Sequence, residues 1–215
     1  ENSLLRLEKI DQFNSLSFNN LNLENVTELI TDKEIEICFH LAAQVEVKKA
    51  EEFPYYTFEN NFFLTLVLLE AFRNSKNLKS FIFTSTDKVY GEIEKSKLPY
   101  KETYNLNPKA PYEVSKSLCE DICKSYAENY NMPLIITRAC NLYGPGQLNF
   151  SALIPSLILS SIKNEDFIPR SNGKLTRDYM YIGDWVDALK TICIYNINNK
   201  LKGEIFNFGT SEPKS

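Results

Sequence analysis

Glycine is scarce in this chain and missing altogether from its first 90 residues. Of 215 residues seven are glycine, Gly91, Gly144, Gly146, Gly173, Gly183, Gly203 and Gly209. A phosphate loop of the G-x-G-x-x-G kind needs glycines early in a strand-turn-helix unit, so the dinucleotide fingerprint is absent here. Histidine occurs once, as His40. Cys119 and Cys123 lie one helical turn apart and could share a metal, but His40 belongs to another element, so no zinc site is expected. The five cysteines, Cys38, Cys119, Cys123, Cys140 and Cys193, are odd in number and widely spread. They read as buried free thiols in a reducing compartment. Long apolar runs are also lacking. FFLTLVLL at 62 to 69 carries Thr65 and falls well short of a bilayer span, and the opening residues do not read as a charged-then-apolar leader. No membrane partner and a cytoplasmic location are expected. Net charge is -4, and lysines are mixed with Asp and Glu, so the basic footprint of a nucleic-acid binder is missing.

What is present suits a globule. Hydrophobic residues make up 43% and charged residues 24%, close to the globular average, and the length allows one large domain or one domain plus part of another. Elements alternate along the first two thirds. Glu34 to Phe39 reads as a buried strand, and Tyr55 to Ser75 as a long helix opened by Pro54. Ser80 to Thr84 reads as a strand, 86 to 110 as a polar loop, Pro111 to about Asn131 as a helix, and Leu134 to Arg138 as a strand. This βαβαβ order predicts a doubly wound α/β fold with a parallel sheet, helices on both faces, and ligands beyond the carboxyl ends of the strands. Further on, Leu153 to Lys163 reads as a helix despite Pro155, Tyr179 to Ile182 as a short strand, Asp184 to Tyr195 as a helix and Glu204 to Phe208 as a strand. A smaller lobe interleaved with the sheet is expected, without a repeat or a low-complexity linker to mark a boundary.

Two stretches carry chemistry. FIFTSTDKVYG, Phe81 to Gly91, runs from an apolar strand straight into Ser85, Thr86, Asp87 and Lys88. Asp87 and Lys88 taken alone are what a surface ion pair looks like. Tyr112 and Lys116 stand at i and i+4 on one helix face, where a tyrosine can act as a base and a nearby ammonium would lower its pKa. Of the twelve tyrosines only Tyr112 has lysine four residues on, a coincidence that chance alone can supply. The placement of both stretches in a βαβ frame is what favours catalytic use.

HLAAQ at 40 to 44, Asn61 with Thr65, STDKVYGE at 85 to 92, PYEVSK at 111 to 116, TRACNLYGPGQ at 137 to 147 and RDYMYIGDWVDA at 177 to 188 resemble the extended short-chain dehydrogenase/reductase superfamily. The resemblance covers nearly the whole chain and is strongest to its NAD-dependent nucleotide-sugar epimerases and 4,6-dehydratases. Lys88 and the run LNFSALIP…IPRSNGKLTRDY are similar to CDP-glucose 4,6-dehydratases, whereas the dTDP-glucose enzymes carry glutamate at the position of Lys88. Leu64 departs from the family, which usually has glycine there. Members normally begin with a glycine-rich βαβ unit ahead of the equivalent of residue 1 and continue past residue 215, so an internal piece is expected. On this resemblance residues 1–140 are a partial NAD-binding Rossmann-like domain with its N-terminal glycine-rich unit missing. Residues 141–215 are then mainly a substrate-binding lobe, with about 178–196 returning to the first domain.

The resemblance also implies roles. Tyr112, with Lys116 beside it and Thr86 assisting, removes the proton of the C4 hydroxyl while NAD takes the hydride. Asp87 and Lys88 are the acid and base that expel water across C5 and C6. A lysine base must be uncharged, which burial or the nearby Lys116 would favour. Leu41, Ala42, Ala43, Gln44, Asn61, Thr84, Ser85, Tyr112 and Lys116 are implied to bind or support NAD. Asn141, Leu153, Ile168, Arg170 and Arg177 are implied to bind the nucleotide sugar, Arg177 as a planar, permanently charged fork for pyrophosphate. His40 is expected to be structural. The partners expected are a nucleotide sugar and, through pairing of the Tyr55 to Ser75 and Pro111 to Asn131 helices, a second copy in a homodimer. Two other readings stay open. A nucleotide-sugar 4-epimerase or reductase would use Tyr112 and Lys116 without needing Asp87 and Lys88, and a non-catalytic interaction protein could retain the shell of such an enzyme.

Overall fold

The computed structural model describes residues 21–169 and 176–210. Its centre is a four-stranded parallel sheet in the order β1-β2-β3-β6, formed by β1 (Ile37–His40), β2 (Ser80–Thr86), β3 (Leu134–Ala139) and β6 (Lys202–Phe208). Every residue of β2 and β3 is buried. That is the signature of a sheet covered on both faces, and it explains why these strands read as unbroken apolar runs.

Alternation splits the core in two. Phe81 and Phe83 of β2 and Leu134 and Ile136 of β3 face one way, toward α1 (Leu23–Asp32), α4 (Leu64–Arg73) and α5 (Pro111–Tyr130). Ile82 and Ile135 face the other way, toward Trp185, Leu189, Ile192 and Cys193 of α7 (Ile182–Asn199). Each such side chain taken fully out of water contributes about 1.5–3 kcal/mol. All five cysteines are free, four of them buried and Cys38 half-buried.

The long helix expected over 55 to 75 is segmented. After α2 (Val47–Glu52), α3 (Pro54–Phe58) passes through a π-turn, Glu59–Phe63, before α4 resumes at the half-buried Leu64. The wider turn presents the Asn61 carbonyl to the Thr65 hydroxyl at 2.6 Å and the Cys119 thiol at 3.3 Å. Helix α5 starts where Pro111 supplies a preset φ, and the Glu113 carboxylate accepts from the backbone N–H groups of Lys109 (2.9 Å) and Ala110 (3.1 Å). It ends at Asn131 in the left-handed region, φ 55°, which asparagine tolerates.

Outside the main sheet β4 (Asn141–Tyr143) pairs in parallel with β5 (Tyr179–Tyr181), and α6 (Leu153–Lys163) lies between them in the chain. Pro155 lies in the first turn of α6, where a missing N–H costs nothing. Several boundaries differ from expectation. The strand expected over Glu34 to Phe39 is Ile37–His40, and Ile37 and Phe39 are exposed where a buried strand was expected, because among the described strands β1 pairs on one side only. β2 and β3 run on to Thr86 and Ala139, and β6 joins the main sheet next to β3 although it lies beyond the 178–196 stretch expected to return there. Its pairing with β3 is a contact between distant residues that local pattern does not encode.

Candidate active site

The carboxyl ends of β1, β2 and β3 open into one cavity of about 460 Å³. Its wall includes Leu41, Ala43 and Val45 after β1, Thr84, Ser85, Thr86 and Lys88 at the end of β2, and Tyr112 and Lys116 from α5. Asn141, Leu153 and Trp185 close the side formed by β4, α6 and α7. Ligands of open parallel sheets bind at such an end.

Thr86 ends β2 and starts a 3-10 turn, Asp87–Tyr90, by accepting from the Lys88 N–H at 3.4 Å. Gly91 closes the turn at φ +64°, and a side chain there would drive its Cβ to 2.2 Å from the Asn107 carbonyl oxygen. The tight turn sets Asp87 and Lys88 beside the cavity. Thr86 donates to Asp87 Oδ1 at 3.2 Å, and Tyr112 shares the cavity wall with it. Lys88 Nζ lies 3.8 Å from Asp87 Oδ1 and 3.4 Å from Asn141 Oδ1. Acid, amine and hydroxyl, drawn from β2 and its turn, thus form one connected group, and the Tyr112 phenol of α5 stands at the same cavity wall.

The electrostatics sort these groups. Burial raises the Asp87 pKa, against the lowering influence of Lys88, the Thr86 hydrogen bond and the Arg177 charge. A carboxyl that holds its proton longer than usual suits a general acid. Tyr112, 7% exposed, is pushed up to about 12 by burial, with Thr86 pulling the other way. The expected lowering by Lys116 is not found. Its amine rests over the Phe83 ring at 4.3 Å, and burial lowers its own pKa, which weakens it as a cation. The Lys88 side chain is 37% exposed. The burial expected around a lysine base is therefore not found at Lys88.

Other implied residues separate into walls, supports and outliers. Leu41, Ala43, Thr84 and Ser85 line the cavity, whereas Ala42 and Gln44 do not. Asn61 supports from behind, accepting from the Gln44 N–H at 2.7 Å and donating to the Gln44 carbonyl at 3.0 Å and to Ser115 Oγ at 2.9 Å. His40 is structural: Nε2 bonds Thr65 Oγ1 at 2.8 Å, and burial, with the Lys116 charge, lowers its pKa to about 3. Asn141 reaches both Lys88 and the Asp178 carbonyl (3.1 Å), and Leu153 is a wall residue. Ile168 is 84% exposed and away from the cavity. Arg177 is exposed and outside the wall, though its charge acts on Asp87. Arg170 lies outside the described residues.

Sequence reading missed four participants. Trp185 and Cys140 are wall residues that looked like plain core. Glu120 and Arg138 form a buried ion pair at 2.6 Å beneath the Asp87–Tyr90 turn. A glutamate on the apolar face of α5, four residues after Lys116, was the signal available.

A nicotinamide dinucleotide fits what is present. Ser85 Oγ is buried without a hydrogen-bond partner, Ala43 leaves room for close approach, and Lys116 brings a buried amine to the same wall. A doubly wound parallel sheet with tyrosine and lysine one turn apart at its carboxyl edge defines a short-chain dehydrogenase/reductase type of NAD-dependent fold. Residues 3–209 match the family model described as "NAD dependent epimerase/dehydratase family", and the chain belongs to that family.

Among curated relatives, dTDP-D-glucose 4,6-dehydratase of Dictyostelium discoideum is 36% identical over 197 residues, 87% of this chain and 43% of that protein. The protein of the same name from Homo sapiens is 34% identical over 188 residues, 85% of this chain and 50% of that one. The chain thus spans about half the length of these relatives. Among solved structures, UDP-glucuronic acid 4-epimerase from Bacillus cereus, in complex with UDP-glucuronic acid and NAD, superposes with a TM-score of 0.85 at 29% identity, covering 99% of this chain and 65% of that one. The dTDP-glucose 4,6-dehydratase from Bacillus anthracis, in complex with NAD, shares the fold with a TM-score of 0.84 at 24% identity, covering 100% and 64%.

Proposed function

We propose that the protein of which this chain is the described part is an NAD-dependent nucleotide-sugar 4,6-dehydratase. The observation that carries the reading is the convergence of Thr86, Lys88 and Tyr112 on one cavity, with Asp87 just behind the wall, hydrogen-bonded to Thr86 at 3.2 Å and 3.8 Å from Lys88 Nζ. Bound NAD would accept a hydride from C4 of the hexose and return it to C6. Leu41, Ala42, Ala43, Gln44, Thr84, Ser85, Tyr112 and Lys116 would hold it, with Asn61 fixing Gln44. Tyr112 takes the proton of the C4 hydroxyl, assisted by Thr86. The ketone formed at C4 acidifies the C5 hydrogen, which Lys88 removes as a proton. Asp87 protonates the departing C6 hydroxyl, so the C6–O bond breaks and water leaves. The hydride then adds at C6 and a proton returns to C5.

CDP-glucose is the substrate that Lys88 and the LNFS run support. The relatives named above are dTDP-glucose enzymes, and Asn141, Leu153, Ile168, Arg170 and Arg177 remain the residues proposed for the nucleotide end. A homodimer through α3–α4 and α5 belongs to the same reading, supported by the outward apolar side chains of Tyr55 (73% exposed), Phe63 (54%) and Leu118 (40%).

The likeness to a 4-epimerase structure favours one competing reading, in which Tyr112 and Lys116 serve and Asp87 and Lys88 are bystanders. Asp87→Asn separates the two in the full-length protein, incubated with NAD and CDP-, dTDP- or UDP-glucose and followed by mass. A dehydratase loses about 10²–10⁴-fold in release of water. Full turnover by the variant, or a product isomeric with its substrate, refutes the dehydratase.

A further inference from the structure

We infer that Glu120, Arg138 and Tyr90 form a positioning strut that fixes the Asp87–Lys88 turn against the helix bearing Tyr112 and Lys116; the inference rests on the dehydratase reading for its catalytic consequence. Tyr112, Lys116 and Glu120 follow one another at four-residue spacing, so they occupy one stripe of α5. The first two face the cavity. The third, fully buried, accepts from Arg138 Nε at 3.0 and 3.2 Å and from Nη2 at 2.6 Å.

Arg138 stands on β3 in register with Ser85 of β2, two residues before the Asp87–Tyr90 turn. Its Nη1 donates to the Tyr90 hydroxyl at 2.6 Å, and the same hydroxyl donates to Asn207 Oδ1 of β6 at 2.8 Å. Tyr90 is the last residue of the turn that starts at Asp87. Its ring is buried and stacked on Tyr100 at 4.6 Å and 8°. Asn207 Nδ2 in turn donates to the Tyr100 carbonyl at 3.1 Å.

Helix α5 therefore reaches the acid/base turn by two routes. One is the direct packing of the helix on the turn, with Tyr112 and Thr86 in the same cavity wall, the other the Glu120–Arg138–Tyr90 chain at its end. A buried, fully satisfied polar network of this kind holds a single geometry, because any displacement strands a charge or a donor. None of the three residues lines the cavity, so they act through Asp87 and Lys88 and are not themselves catalytic.

Tyr90→Phe tests this, since it deletes only the hydroxyl and keeps the ring. Tyr126→Phe is the control, removing a comparable hydroxyl that bonds Glu70 at 2.9 Å on another part of α5. In the full-length protein with NAD and the nucleotide hexose, Tyr90→Phe should slow release of water by about 10- to 100-fold, the cost of a misplaced acid of order an ångström, with KM changed less than about twofold. Oxidation at C4 depends on Tyr112 and should stay near wild type, so reduced nicotinamide accumulates and is read by absorbance. Independently of turnover, the titration of the Asp87 carboxyl, followed by NMR with isotope-labelled aspartate and assigned with Asp87→Asn, should shift in Tyr90→Phe and not in Tyr126→Phe. Equal slowing of both steps, or an Asp87 titration identical to wild type, overturns the strut. If the wild-type protein turns over no nucleotide hexose, the dehydratase reading fails, and the NMR comparison still decides the strut.

Discussion

Consider Glu120→Ala. The carboxylate and the guanidinium it meets are 0% and 1% exposed. Burial pulls the Arg138 pKa down, and the Glu120 and Tyr90 contacts more than offset this, so the group stays charged. Without Glu120 the cation keeps only neutral partners, the Tyr90 hydroxyl at 2.6 Å and the Glu102 carbonyl at 3.5 Å. Stranding one half of a buried pair costs about 3–5 kcal/mol. At about 2–4 °C per kcal/mol for a chain of this size, the melting temperature falls by about 6–20 °C. Replacing both partners, as Glu120→Met with Arg138→Met, removes the stranded charge and should land within about 2 kcal/mol of wild type. Calorimetric melting of the three proteins is the assay. A single variant within about 1 kcal/mol of wild type would mean the guanidinium is not left uncompensated, contrary to its burial. A double variant as unstable as the single one would mean that packing and not charge sets the value. If the strut is right, the double variant also melts normally while releasing water slowly, which divides stability from positioning.

Three further outcomes are expected. His40 is held near pKa 3 when folded, whereas the unfolded imidazole titrates near its ordinary value of about 6.5. The unfolded chain thus binds the extra proton between the two values, and stability should fall by up to about 1.4 kcal/mol per pH unit on acidification through that window. Denaturant melts of wild type and His40→Gln should show that slope only in wild type. Gly91→Ala forces a side chain into positive φ and against the Asn107 carbonyl; a loss of about 1–3 kcal/mol is expected in the same melts. Tyr112→Phe should abolish oxidation at C4 in a single-turnover absorbance assay while leaving the melting temperature within about 4 °C of wild type, since it deletes one hydroxyl, worth about 1 kcal/mol, and keeps the buried ring.

The layered fold was legible because its signals are local. Unbroken apolar runs marked β2 and β3, Pro54 and Pro111 marked helix starts, and α6 spans the expected Leu153 to Lys163. The π-turn at Glu59–Phe63 was not legible, since its sequence keeps helical periodicity while the backbone gains a residue. The convergence of residues 84 to 88 with Tyr112 and Lys116 followed from the rule about strand ends. Their protonation did not. Tyr112 responds to burial and to Thr86, and the Lys116 amine turns to Phe83, both set by neighbours that spacing along α5 cannot reveal. Glu120 and Arg138 lie 18 positions apart, and Arg138 and Tyr90 lie 48 apart, so their pairing emerges only once the sheet is assembled.

The stripe on α5 makes that helix a ruler. A one-residue insertion between Lys116 and Glu120 would swing everything beyond it by about 100° around the axis and advance it about 1.5 Å. Lengthening the helix between these marks would thus be worse tolerated than most replacements of its outward residues, and a scan of single-residue insertions along Pro111–Tyr130 should find its most sensitive interval between Tyr112 and Glu120.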